Sequence, residues 1–571
     1  MKKIFLILLC LPFFASSQGN ETLQLIFNQL DSLDNAYRIE NTIWWGQHPE
    51  KFTYQTVEKR IEKAEYQAKY LADLEAILEE QLTDQEQINR SIRILQLKDE
   101  ISDIEYKTYL IPFNAEGGFF NSPSFFLSRL PFNDEDIEDY IRWLPSFSEY
   151  ISYNQNLLRM GMKEKIQAPK VIVQNIIALL EPWTSDDIAS NPFFMAINNE
   201  SVSADNKEKV KNTIKTKVLP SYQALLRFLN EKYLPSSPEK VGISEIKNGR
   251  AYYEDRIRHF TTLDISPDSV YNIGLAEVSR IRSLMDEIIQ EVEFKGDFAA
   301  FLNFLRTDPQ FYPKTGQELL NKAAWLSKKA EGQLPKLFSK LYTLPFTVEP
   351  VPDDIAPKYT GGRYVGGSRS QNKAGIYWVN TYDLKSRTLY TLPALTLHEA
   401  VPGHHLQITL ASELEGLPDF RSGYYISAFG EGWGLYAEYL GEEMGMYETP
   451  YDLFGRYTYE MWRACRLVVD VGLHYKGWTR QEAVDYMAKN TALSLHEVNT
   501  EIDRYIGWPG QAVSYKIGEL TIKRLREKAT KELGNRFDIQ KFHEEILKNG
   551  SVPLPILIAQ IEKYISAEKA K

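Results

Sequence analysis

From Glu21 to about Lys107 the chain sets charged residues among apolar ones at helical spacing, as in RIEKAEYQAKYLADLEAILEEQL, which predicts long amphipathic helices. A Gly/Phe/Ser/Pro-rich stretch, NAEGGFFNSPSFF (114–126), interrupts them. Helical patterns resume near Asp134 and continue through VIVQNIIALLEP and 206–232, where Pro220 and the PSSP cluster at 235–238 mark turns. A further run, 266–295, opens with Ser266-Pro267-Asp268, an N-cap followed by proline in the first turn. Between about 345 and 381 the rhythm changes. Glycine and proline become frequent, and β-favouring runs such as AGIYWVN predict a short sheet bounded by loops. Helical patterns then return almost to the C-terminus, and no repeat of 20 to 50 residues is visible. The expected architecture is mainly α, with one small β element ahead of the segment that carries the chemistry.

The first residues break this pattern. Lys2 and Lys3 precede about a dozen apolar residues that end at Ala15, Ser16 and Ser17, the layout of a signal peptide and too short to span a bilayer. Cys10 stands behind Leu9, where lipid attachment wants a small residue, so simple cleavage near Ser17–Gln18 is expected. The chain then divides into 1–17, a helical region 18–344 and a catalytic region 345–571, the last two forming one continuous unit. A periplasmic or secreted protein is implied, with no membrane span after cleavage. Cys465 is the other cysteine, which excludes an internal disulfide and a thiolate-rich metal site in the mature chain. The net charge of −11 offers no basic surface for nucleic acid. Any metal must be held by histidine and carboxylate.

Three of the eight histidines fall in HEAVPGHH (398–405). In a zinc protease helix, histidines at i and i+4 share a face and the glutamate between them is the general base. Here His398 and Glu399 follow that pattern, but Pro402 occupies the i+4 position. Proline removes a backbone donor and clashes with the carbonyl of His398, so a helix starting near Pro393 should kink or widen at Pro402-Gly403. A turn widened by two residues would bring His404 to the vacated place. His405, about 10 Å along an undistorted helix, is the alternate. Glu431, in SAFGEGWGLYAEYLGEEMG among Gly430, Gly432 and Gly434, is the expected third ligand of a catalytic zinc. Glu438, two turns on, is a candidate to orient a ligand histidine. Donors to an oxyanion are sought in EIDRYIGWPGQAVSYKIGEL: Arg504, Tyr505, Tyr515 and Lys516, with Tyr515 preferred and His474 a second candidate. The pairs His496-Glu497 and His543-Glu544 have no second histidine nearby and are expected to be structural or surface pairs.

HEAVPGHHLQ, EGWGLYAE, DVGLH, EIDRYIGWPGQAVSYKIG and FHEEILKNGSVPLPIL together resemble successive blocks of the bacterial family catalogued as domain of unknown function 885, with weaker echoes such as HFTTLDISPDSVYNIGLAEV (259–278). That resemblance covers nearly the whole mature chain. It implies a largely helical, cleft-containing zinc metallopeptidase of the zincin type, with His398, Glu399, the His404/His405 pair and Glu431 at the zinc site. It leaves the substrate open. The expectation is a peptidase acting on short peptides, with Glu399 as general base. AGIYWVN is either a cleft edge that pairs with an extended peptide or a structural hairpin. A zinc amidase acting on a non-protein amide would use the same site. A helical binding protein with a structural metal would have no use for a base beside its first ligand.

Overall fold

The computed structural model describes residues 20–38, 52–123, 132–353 and 355–571; the expected signal peptide lies outside them. The amphipathic N-terminal stretch forms helices Glu21–Ala36, Val57–Ala76 and Asp84–Glu105. Ser266 caps the helix Pro267–Glu291 as its sequence predicts, its side chain accepting from the Ser269 amide at 3.2 Å. Among the described residues, no helix is long and apolar enough to cross a membrane.

Pro220 behaves differently from expectation. The chain stays helical from Ala204 to Ser236, and Pro220 lies inside that run. Pro220 and Pro235 each stand two residues after the end of a five-residue π turn, Ile214–Val218 or Leu229–Tyr233. A wider turn accommodates the missing N–H and the ring that would strike the carbonyl four residues back. The PSSP cluster does end the run, at Ser236.

The predicted sheet has three strands, Phe346–Pro350, Gly362–Val365 and Gly375–Val379. The last is central, parallel to the first and antiparallel to the second. AGIYWVN is therefore not a cleft edge: both of its sides are hydrogen-bonded within the sheet. The edges are FTVEP (346–350) and GRYV (362–365). Residues of one sheet face pack on the helix Leu392–Glu399, the Tyr377 hydroxyl meeting Thr396 Oγ1 at 3.4 Å.

Helix 267–291 from the N-terminal half packs along Pro450–His474 from the C-terminal half, so the packing crosses residue 344. Helix 450–474 is buried on all sides and feeds two adjoining apolar clusters, with Cys465 in one and Leu467 and Val471 in the other. Helix Ser427–Glu443 lies between Leu392–Glu399 and Ser514–Leu533. A Cβ on Gly432 would stand 2.6 Å from Gly518 Cα, and one on Gly518 would stand 1.9 Å from the Ala428 carbonyl oxygen, so backbone meets backbone there. Gly432→Ala should push these helices apart and cost about 1–3 kcal/mol, seen as a lower midpoint in urea unfolding with unchanged helical content.

Candidate metal centre

Helix 392–399 begins with Pro393 in its first turn and ends on His398 and Glu399. The chain then leaves helical geometry through Ala400 (φ −92°, ψ −111°), a cis Val401–Pro402 bond and Gly403 (φ −74°, ψ −129°), before His404–Ser412 forms a new helix. The expected widened turn is thus a full break between two helices. It is held by its own bonds: the His405 amide donates to the Ala400 carbonyl at 3.1 Å, and Trp433 Nε1 donates to the Pro402 carbonyl at 2.8 Å. The break returns His404 to His398, with ring centroids 4.7 Å apart and planes at 89°.

Glu431 comes from helix 427–443. One donor atom from each of His398, His404 and Glu431 lies within 4.8 Å of the others, the arrangement a metal ion needs. Glu431 Oε2 is 3.3 Å from His398 Nε2 and 3.5 Å from His404 Nε2. The neighbouring glycines make room for this. A Cβ on Gly434 would stand 2.5 Å from His398 Cε1, and one on Gly430 would stand 2.3 Å from the Tyr425 hydroxyl. His398 Nδ1 pairs with Glu438 Oε1 at 2.8 Å, as the spacing suggested, which fixes the ring and turns Nε2 towards Glu431. Behind Glu438 stand Arg463 at 3.6 Å and the Tyr447 hydroxyl, which donates to its carbonyl at 2.6 Å. His404 Nδ1 is buried without a hydrogen-bond partner among the described residues.

These contacts set the charges. Burial alone would push the Glu431 carboxyl up, but hydrogen bonds from His398 and His404 hold it well below the usual range. Burial would likewise lower His398, yet Glu431, Glu438 and the charge of Glu399 hold its imidazole up at about 9. Glu399 is not among the three clustered donors. Its Oε2 accepts the backbone N–H of Tyr364 at 2.8 Å, so the sheet edge holds it.

The other predicted residues separate. His405 is turned away from the cluster: Nδ1 meets the Tyr364 hydroxyl at 3.0 Å, and its ring packs against Tyr342 and Phe346 at 4.4 and 4.5 Å. Burial holds it at about 4, hence neutral. His474 is structural as well. Nδ1 accepts the Ile243 amide at 3.0 Å and Nε2 donates to the Tyr505 carbonyl at 2.9 Å, leaving no nitrogen for an oxyanion. Arg504 binds Glu501 and Gln511, Tyr505 donates to Glu501, and Lys516 is buried against Glu460 and Glu519. Tyr515 lies within electrostatic reach of Glu431. Burial and the charge of Glu431 raise its phenol pKa, and Arg466 lies 4.2 Å from its ring centroid. Tyr425 was not foreseen. It is raised well above its usual range by burial of its phenol and by Glu431, although 41% of the residue is exposed. His496-Glu497 and His543-Glu544 are structural as expected: Glu497 closes a capping box with Ser494, and His543 bridges Tyr436 and the Leu337 carbonyl. A cavity of about 350 Å³, lined by Thr391, Leu392, Leu395, Gly361, Arg306 and Glu497, lies back along helix 392–399 and does not include the three ligands.

A family model described as "Bacterial protein of unknown function (DUF885)" matches residues 41–561. The chain belongs to the DUF885 family. Its solved neighbours include a "putative lipoprotein" from Colwellia psychrerythraea, 27% identical, with a TM-score of 0.86 over 95% of this chain and 99% of that one. Another, a "putative lipoprotein of unknown function" from Shewanella oneidensis, is 17% identical and shares the fold, with a TM-score of 0.72 over 95% of this chain and 99% of that one. No curated protein matches. For this DUF885 chain the geometry predicts that His404→Ala abolishes tight binding of added zinc while His405→Ala leaves it within a few-fold and lowers thermal stability. Glu438→Gln should weaken binding by about 10- to 100-fold, read by competition with a chromophoric chelator.

Proposed function

We propose that the chain is an extracytoplasmic zinc-dependent hydrolase of amide bonds, working as a peptidase on short peptides. One observation carries the reading: Glu399 directly follows a ligand histidine, stays outside the three-donor cluster and is held by a main-chain amide. A metal kept only for structure has no need of a free carboxylate in that position. The donor set supports zinc. Four ligands at about 2.0–2.1 Å around a tetrahedral ion are separated by about 3.3 Å, and the two Glu431 contacts match that edge at 3.3 and 3.5 Å. Two imidazoles and one carboxylate leave a fourth position open for water, and the carboxylate–histidine pair at Glu438 is the usual support of such a ligand.

When bound, zinc supplies Lewis acidity, lowering the pKa of water and polarising a carbonyl. Glu399 takes the proton from the attacking water and returns it to the leaving amine. Tyr425 and Tyr515, both kept protonated by burial beside Glu431, donate hydrogen bonds where negative charge develops on the carbonyl oxygen. The signal-like first residues support a location outside the cytoplasm.

Glu399→Gln should keep one zinc per chain and lower kcat/KM by about 10²- to 10⁴-fold. The measurement is digestion of a peptide library read by mass spectrometry, with and without chelator. Equal digestion by wild type and variant would sink the reading, and so would digestion that survives removal of the metal.

A further inference from the structure

Substrate recognition beside Glu399 needs a group that the structure has left free. The peptide bond that grips Glu399 joins Arg363 to Tyr364, so Arg363 begins within a residue of the proposed base. Along the strand 362–365 successive side chains take opposite faces. Gly362 and Tyr364 are buried and Arg363 is exposed. The Arg363 guanidinium lies 5.6 Å from the Tyr359 ring centroid, and the charges of Glu399 and Glu116 and the Tyr515 phenol act on it.

The other cations around the centre are already committed. Arg466 and Arg504 both bind Glu501 at 3.0 Å, Lys516 binds Glu460 and Glu519 at 2.7 and 2.6 Å, and Arg463 stands 3.6 Å from Glu438. Among the described residues, Arg363 has no carboxylate within ion-pair distance. Of the centre's carboxylates, Glu431 faces the two imidazoles and Glu438 is paired with His398 and Arg463, so Glu399 is the one left to repel an anionic group beside it. An uncommitted guanidinium on the sheet edge offsets that repulsion, and its planar fork suits a carboxylate.

We propose that Arg363 is a specificity-determining residue that binds a carboxylate of the substrate next to the scissile amide, so that the favoured substrates are anionic peptides. The inference rests on the hydrolase reading above. The carboxylate has two sources, the free C-terminus and an acidic side chain, and one matched peptide set separates them.

Zinc-loaded full-length protein is given peptides of one sequence as the free acid, as the C-terminal amide, and as the amide with an Asp or Glu beside the cleaved bond. Wild type should favour a carboxylate-bearing form by roughly ten- to hundredfold in kcat/KM. Arg363→Ala should erase that preference by raising KM for the carboxylate-bearing form far more than for the neutral amide, and Arg363→Lys should restore part of it. Preference for the free acid assigns the C-terminus as the source; preference for the acidic amide assigns the side chain. No preference in wild type, or one that survives Arg363→Ala, overturns the inference while leaving the hydrolase reading intact. Calorimetry on zinc-loaded Glu399→Gln separates the opposite failure. Free-acid or acidic-amide binding that weakens on adding Arg363→Ala would uphold Arg363 even if wild type cleaved nothing. Binding of both that ignores Arg363, or no binding of either, would overturn it.

Discussion

Helix 427–443 approaches its neighbours on two sides more closely than ordinary side chains allow, and the cluster of His398, His404 and Glu431 depends on that approach. On one side Gly434 lies under the His398 ring; on the other, Gly432 meets the backbone of Gly518. Glu431 sits between these contacts, with its carboxylate 3.3 Å from His398 Nε2. Helices packed through ordinary side chains stand about 8–10 Å apart, and the added standoff would carry Glu431 out of reach of both imidazoles. The cluster is therefore set by two packing contacts before any charge is considered.

Charge then refines the arrangement. Buried ions are costly unless each finds a partner, and here they are bound into chains. Glu438 joins His398 to Arg463, while Glu460 gathers Arg456, Arg280 and Lys516. Glu501 holds Arg466 and Arg504 together. These chains fix the helices that carry His398 and Tyr515. They also consume most of the cations nearby, which is why an unspent one stands out.

The helical class was legible because apolar spacing reports which face of a helix is buried, and HEAVPGHH with Glu431 was legible because donor residues of those types rarely gather by chance. The choice of His404 over His405 followed from Pro402, although the sequence could not show that the helix would end outright. Pro220 misled because a π turn relieves a proline without breaking the run. Strand order is a long-range property, so nothing within AGIYWVN marks it as the central strand. His474 and Tyr505 carry the same atoms whether they bind backbone and salt bridges or a substrate, and only the fold distinguishes the two. Tyr425 lies in a loop without a motif. Arg363 is tied to Glu399 only through its neighbour's main-chain amide, which leaves no side-chain signature.

The grip of Tyr364 on Glu399 has a mechanical consequence. A main-chain donor is present whatever side chain occupies position 364, proline excepted, so other point substitutions there do not delete it. The same bond makes the carboxylate a passenger of the strand 362–365, since the donor moves only when that strand moves. The three-stranded sheet, a small fraction of the molecule, thus serves as the reference surface from which Glu399 is positioned. A change in sheet register would re-aim Glu399 while leaving the three clustered donors on their helices.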